Sequence, residues 1–278
     1  MRSQSCNSYG DRCFDPVGRK SDALAEVNAL VALAVSLAQP PAAALTVRGD
    51  LIASDARISN SDGVVINAGG VVNPPPAVKN PYVTGPAGSP ARVQEGDRSL
   101  PTAAWTASAG GQTLGEMMFL ANFGMDPATY RTQPAVVRVA CGAECAAAVQ
   151  AAADQYPGRV LWIDGDLNVN AAMTLGTVAS PVILIASGNM AFGNASNVTI
   201  YGMVYSRGAS WANGAGAALV RGAFVAEGDA DDGHFTITGA PNIVFEPQVV
   251  GQLKKVQARR SLDFGSMVRV PGSWRDFQ

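Results

Sequence analysis

Residues 201–208 read YGMVYSRG, and residues 221–228, beginning 20 positions later, read RGAFVAEG. Each octet runs X-Gly, four mostly apolar or small residues, one charged or polar residue, then Gly. The same texture fills 159–246, where short apolar stretches alternate with Gly-Asp or Gly-Asn turns and no long helix intervenes. GDL stands at 49–51 and at 165–167, and GNM at 188–190. From Gly165 to Gly188 is 23 positions. Cycles of about twenty residues that hold several short strands suit a parallel solenoid, because each cycle buries its apolar residues only by stacking on the next. Gly, Asn and Asp supply the tight corners, and Asn189, Asn194 and Asn197 are candidates for amides stacked there. The expected fold is therefore mainly β: a right-handed parallel β-helix with a few short helices. An antiparallel β-sandwich is the alternative. On the first reading the two octets are successive coils, with Arg207 and Glu227 pointing outward at matching places.

Around this pattern the chain divides by texture. Residues 23–38 (ALAEVNALVALAVSLA) suit a helix, with Val27, Val31 and Val35 on one stripe, or a strand of period two. The valines tilt the reading toward strand. QPPA at 39–42 ends that element, and the triplet texture begins at Ala44. A Pro/Gly/Ser-rich excursion occupies 73–112, of a length that marks a functional or mobile loop. A helical insertion follows at 113–158. Within it TLGEMMFLANFG has Thr113 as N-cap and Gly124 as stop, and CAAAVQAAADQYPG closes on Pro-Gly.

Composition limits the function classes. Charged residues make up 15% of the chain and the net charge is −2, which gives no electrostatic reason to expect nucleic acid as a partner. The one basic cluster, Lys254, Lys255, Arg259 and Arg260, reads as a solvated helix face. The most apolar stretch, residues 29–38, is half the roughly twenty residues a membrane span needs. The cysteines form two close pairs, Cys6/Cys13 and Cys141/Cys145. Two local disulfides in an exported protein is the preferred reading, and a four-cysteine zinc site is the alternative. Export implies a targeting segment upstream of Met1.

Residues that offer chemistry are few. Asp164 and Asp166 in WIDGD have the i, i+2 spacing that places two carboxylates on one face of a strand, the arrangement a glycan lyase or hydrolase would need. The bland reading is a corner in which Asp166 bonds a turn amide. Asp229, Asp231 and Asp232 in GDADDGH gather hard oxygen atoms that suit calcium, but without the further ligands of a known loop, so a solvated turn is expected. His234 opens an alternating strand with no nucleophile beside it. NAS and NVT at 194–199 match the glycosylation acceptor pattern, although the corner reading serves those asparagines better. No cofactor is implied and catalysis is not expected.

The tail FGSMVRVPGSWRDF (264–277) resembles the large PilX-like pilus-assembly proteins, minor pilins of Gram-negative type IV pili. LAQPPAAALTVRGDL (37–51), FGMDPATYR (123–131), PGRVLWIDGDL (157–167) and VTIYGMVYSRG (198–208) share the resemblance. It implies a prepilin cleaved after a short basic leader and carried by a hydrophobic N-terminal helix, both expected upstream of this sequence. Residues 1–43 would be the end of the pilin-like region, and 44–278 a β-solenoid body. The implied location is the inner membrane and periplasm before assembly, then the extracellular pilus at the cell surface. The implied partners are other minor or major pilins and pilus-tip proteins, with surface glycans as a further possibility. Trp211 and Trp274 are candidate contact anchors, although burial as plugs at the solenoid's flank or end is the preferred reading. A glycan-binding adhesin module and a glycan lyase or hydrolase using Asp164 and Asp166 are the alternative functions.

Overall fold

A computed structural model describes residues 37–75, 83–102, 105 and 111–253, with the backbone of short strands at 2–6, 24–28, 31–33, 267–269 and 275–276. The protein is mainly β, with long parallel sheets and, among the described residues, four short helices. Its first strands are β1 (Arg2–Cys6), β2 (Leu24–Asn28) and β3 (Val31–Leu33). Next come β4 (Ala43–Val47), β5 (Leu51–Ala53), β6 (Arg57–Ser59), β7 (Val64–Ala68), β8 (Val72–Asn73), β9 (Val83–Thr84) and β10 (Arg92–Gln94). Helices α1 (Leu114–Phe123) and α2 (Pro127–Arg131) lead to β11 (Val136–Ala140) and α3 (Ala146–Gln155). The chain continues through β12 (Val160–Asp164), β13 (Leu167–Val169), β14 (Ala172–Leu175), β15 (Val182–Ala186) and β16 (Met190–Phe192). It runs on through β17 (Asn197–Ser206), β18 (Ser210–Asn213), β19 (Ala217–Ala226), β20 (Phe235–Thr238) and β21 (Asn242–Phe245) to α4 (Pro247–Leu253). The last strands are β22 (Met267–Arg269) and β23 (Arg275–Asp276).

Every pairing within the 12-stranded and 6-stranded sheets is parallel, which is not the pairing of an antiparallel sandwich. The strands repeat as a cycle of three. One ladder runs β11-β12-β15-β17-β19-β4-β7-β10, and a second runs β13-β16-β18-β20-β5-β8. A third joins β14, the first halves of β17 and β19, β21, β6 and β9. The order is not the order of the chain. β4 pairs with β19, so the first cycle of the sequence lies on the last. From β4 the chain winds away to β10, passes through α1 and α2, and re-enters at the far end with β11. The terminal strands pair antiparallel in two small sheets, β1-β2-β23 and β3-β22.

The octets lie side by side, Tyr201 to Ser206 against Arg221 to Ala226, in register. The first glycine of each is a corner. β17 and β19 bend there from the third ladder into the first, with φ of 153° at Gly202 and 141° at Gly222. A Cβ on Gly222 would stand 2.0 Å from the Gly202 carbonyl oxygen, so close stacking demands glycine as well as the angle. The second glycine serves the next corner: a Cβ on Gly208 would lie 2.4 Å from the Gly188 carbonyl oxygen.

Side chains of the first ladder alternate between two apolar layers. Leu161, Leu184, Val204, Phe224 and Leu45 face the core enclosed by the three ladders. Trp162, Ile183, Ile185, Met203, Tyr205 and Val225 face the other way, against Phe119 and Phe123 of α1, Tyr130 of α2 and Leu253 of α4. Burial on both sides explains why these strands read as unbroken apolar runs such as VILIA. Each such side chain contributes roughly 1.5–3 kcal/mol to folding. α1 starts and stops where the sequence places it: Thr113 forms a capping box with Glu116, and Gly124 ends the helix at φ 71°.

The sequence reading passes over β11, a five-residue strand between two helices, and over β9 and β10 within the excursion. Residues 24–28 and 31–33 are strands, the side toward which the valines tilted.

Candidate functional site

The first ladder ends, cycle after cycle, at the same corner. The residues there are Asp164, Ser187, Arg207, Glu227 and Arg48, each followed by glycine. The backbone ladder continues through them. The N–H groups of Ser187, Arg207, Glu227 and Arg48 donate to the carbonyls of Ile163, Ala186, Ser206 and Ala226 at 3.1, 2.9, 2.9 and 3.0 Å. Five side chains of mixed charge therefore stand in one line, at the roughly 4.8 Å spacing of neighbouring strands.

At one end of the line Asp164 binds two arginines. Its Oδ1 accepts from Arg131 Nε at 2.8 Å, and its Oδ2 accepts from Arg138 Nε at 3.1 Å and Nη2 at 2.7 Å. Arg131 comes from α2, whose start is fixed by Asp126 accepting from the Thr129 N–H. Arg138 lies on β11 opposite Trp162. Partial burial opposes ionisation of Asp164, but the bonds from Arg131 and then Arg138 outweigh it and hold the carboxyl below its ordinary value. The bond to Asp164 in turn raises Arg131. Beside this cluster a groove of about 360 Å³ is lined by Glu116, Arg131, Trp162, Asp164, Ser187 and Arg207, among others.

Toward the other end the line is covered. Arg207 Nε donates to Glu227 Oε1 at 3.0 Å, with the side chains 25% and 6% exposed. Gly115 of α1 lies over Glu227: a Cβ there would be 2.6 Å from Glu227 Oε2. The Arg207 guanidinium also lies 5.9 Å from the centre of the Phe119 ring. Arg207 and Glu227 thus point away from the core at matching places, as expected, but α1 packs over that corner, so Glu227 is buried there. Burial raises the Glu227 carboxyl above its ordinary value, against the opposing pull of Arg207 and Arg48. Arg48 is fully buried. Its Nε donates to the Glu227 carbonyl at 2.7 Å and its Nη2 to the Asp229 carbonyl. Burial lowers its pKa despite Glu227, Asp229 and Asp232 nearby.

The remaining sequence candidates have structural partners. Asp166 Oδ1 accepts from the Asn189 N–H at 2.8 Å, and Asn189 Oδ1 accepts from the Ala209 N–H at 2.9 Å, so the corner reading holds for both. Asn194 likewise accepts from Ala215 N–H at 2.9 Å, whereas Asn197 opens β17 between Ala172 and Ala217. Asp229 Oδ1 accepts from the N–H groups of Asp232 and Gly233 at 3.1 and 2.9 Å, capping its own turn. Among the described residues no group of three or more His, Cys, Asp or Glu is placed to hold a metal. His234 is half-buried, its carbonyl accepting from Asp229 N–H at 3.0 Å.

Cys141 and Cys145 are joined in a disulfide between β11 and α3. The expected Cys6–Cys13 pairing lies outside the described residues, as do Trp274 and the basic cluster at 254–260. Trp211 is not a contact anchor: it is fully buried, as the preferred reading has it, but within the main core, stacked 5.1 Å from Phe224, not at a flank or end.

Sequence reasoning singled out Asp164, Arg207 and Glu227 but missed Arg48, Arg131 and Arg138. Arg48 was legible in principle, since RGDL at 48–51 repeats the corner pattern of DGDL at 164–167. Arg131 and Arg138 carry no such signal, because they arrive from α2 and an end strand. No family model, curated protein or solved structure matches this chain.

Proposed function

We propose that the protein is a non-catalytic, exported structural component, the head of a minor pilin of the PilX-like kind. Its three parallel ladders would form a right-handed β-helix. Handedness follows the strong preference of parallel crossovers. The observation that carries this reading is the stack itself: parallel cycles in register, with the first ladder buried on both sides. Such a body is a rigid support that presents its corners and loops to neighbouring pilins, pilus-tip proteins or a surface. The Cys141–Cys145 disulfide supports passage through an oxidising compartment, the periplasm, before display outside the cell. The non-catalytic part is supported by the state of the two carboxylates. Both oxygens of Asp164 are engaged by arginines, and Asp166 caps a turn.

Mass spectrometry of sheared, purified pili from the native organism tests the reading. The expected result is peptides of this chain at low stoichiometry, with a processed hydrophobic N-terminus. Finding the protein free in the periplasm or medium, and absent from pili, overturns it.

A further inference from the structure

We infer that the groove beside Asp164 binds the carboxylate of a small organic acid, gripped between Arg131 and Arg207 above Trp162. The inference is independent of the filament reading, and either can fail alone.

The reasoning rests on which donors and acceptors are already used. Asp164 spends one oxygen on Arg131 and the other on Arg138. Glu116 Oε2 accepts from the Thr113 N–H, closing the cap of α1. The acceptors that line the groove are thus largely committed to the protein. The donors are not. Asp164 occupies one edge of Arg131, Glu227 bonds the Nε of Arg207, and the remaining guanidinium N–H groups stay available. Both arginines are held in place by a carboxylate partner, which pre-organises the fork for a planar oxyanion. Trp162 is 2% exposed and lines the groove, yet its indole Nε1 has no acceptor. That N–H is itself closed to solvent, so Trp162 acts as a reporter beside the groove and the arginines supply the donors. The surplus is of donors, so the ligand is an acceptor. The volume of about 360 Å³ falls at the small end of ligand clefts, roughly 300–1,000 Å³. That size fits a molecule of one ring.

The test follows the indole N–H signals of the four tryptophans in ¹H–¹⁵N spectra, with Trp162→Phe identifying the Trp162 peak. D-glucuronate is the probe, and glucose, the same ring without the carboxylate, is the control. The expected result is a saturable shift of the Trp162 peak with glucuronate and none with glucose. In Arg131→Gln the affinity falls at least about tenfold, while the other indole peaks keep their positions and report an intact fold. Arg131→Lys, which retains the charge but loses the fork, should bind at an intermediate level. The inference is overturned if millimolar glucuronate leaves the Trp162 peak in place. An equal shift with glucose, or an unchanged titration in Arg131→Gln, overturns it as well.

Discussion

Asp164 and Glu227 occupy the same position in two cycles of one ladder, and their carboxyl groups are pushed in opposite directions. Asp164 has two arginines and partial contact with water, and stays more acidic than usual. Glu227 has Arg207 at its side chain and α1 overhead, and is less acidic than usual. Both feel a desolvation penalty. What differs is whether charged hydrogen bonds outweigh it, and at Glu227 a single ion pair does not. The covered end is also the seam where the first and last cycles of the chain meet. There Arg48, 179 residues before Glu227, bonds its carbonyl.

Removing Arg48 should break the contrast most severely. Arg48→Met leaves the carbonyls of Glu227 and Asp229 without their buried donor and takes a compensating charge from Glu227. A loss of about 3 kcal/mol is expected, read as a shift of the urea midpoint. A change as small as that of the half-exposed Arg138→Met would show that the seam does not depend on Arg48.

Next comes the pH dependence of Glu227. Its folded pKa lies above the ordinary 4.5, so the folded protein keeps a proton that the unfolded chain has released. Stability should therefore fall as pH rises from 4.5 through the folded value. Glu227→Gln should remove that slope. Urea midpoints at several pH values measure it. A slope that persists in Glu227→Gln belongs to another group.

The smallest effect is expected at the open end, and its sign is reversed. The Asp164 carboxyl lies below the ordinary 3.8, so its stabilisation is complete above that value and is lost as pH falls through the folded value. Solvent screening limits the loss in Asp164→Asn to about 1 kcal/mol or less at neutral pH. Acid titration of the variant should show a shallower decline than that of the parent. Equal or larger destabilisation than in Arg48→Met would erase the distinction between the two ends.

The sequence alone determined the period and the corners. The octets align residue for residue, Gly202 and Gly222 mark one bend, and Asp166, Asn189 and Asn194 cap others, because those requirements are local and recur each cycle. Helix α1 was equally legible through Thr113 and Gly124. Strand β11 was not, since five residues between two helices carry no repeat to align. Only the tertiary structure decided the order of stacking. Parallel strands expose the same backbone groups at every edge, so nothing in β4 announces that it pairs with β19. The same holds for the ladder of corner residues. Its members are readable one by one, but which is buried depends on where α1 settles. Burial comes from the neighbours assembled around a residue, and those neighbours lie far away in the chain.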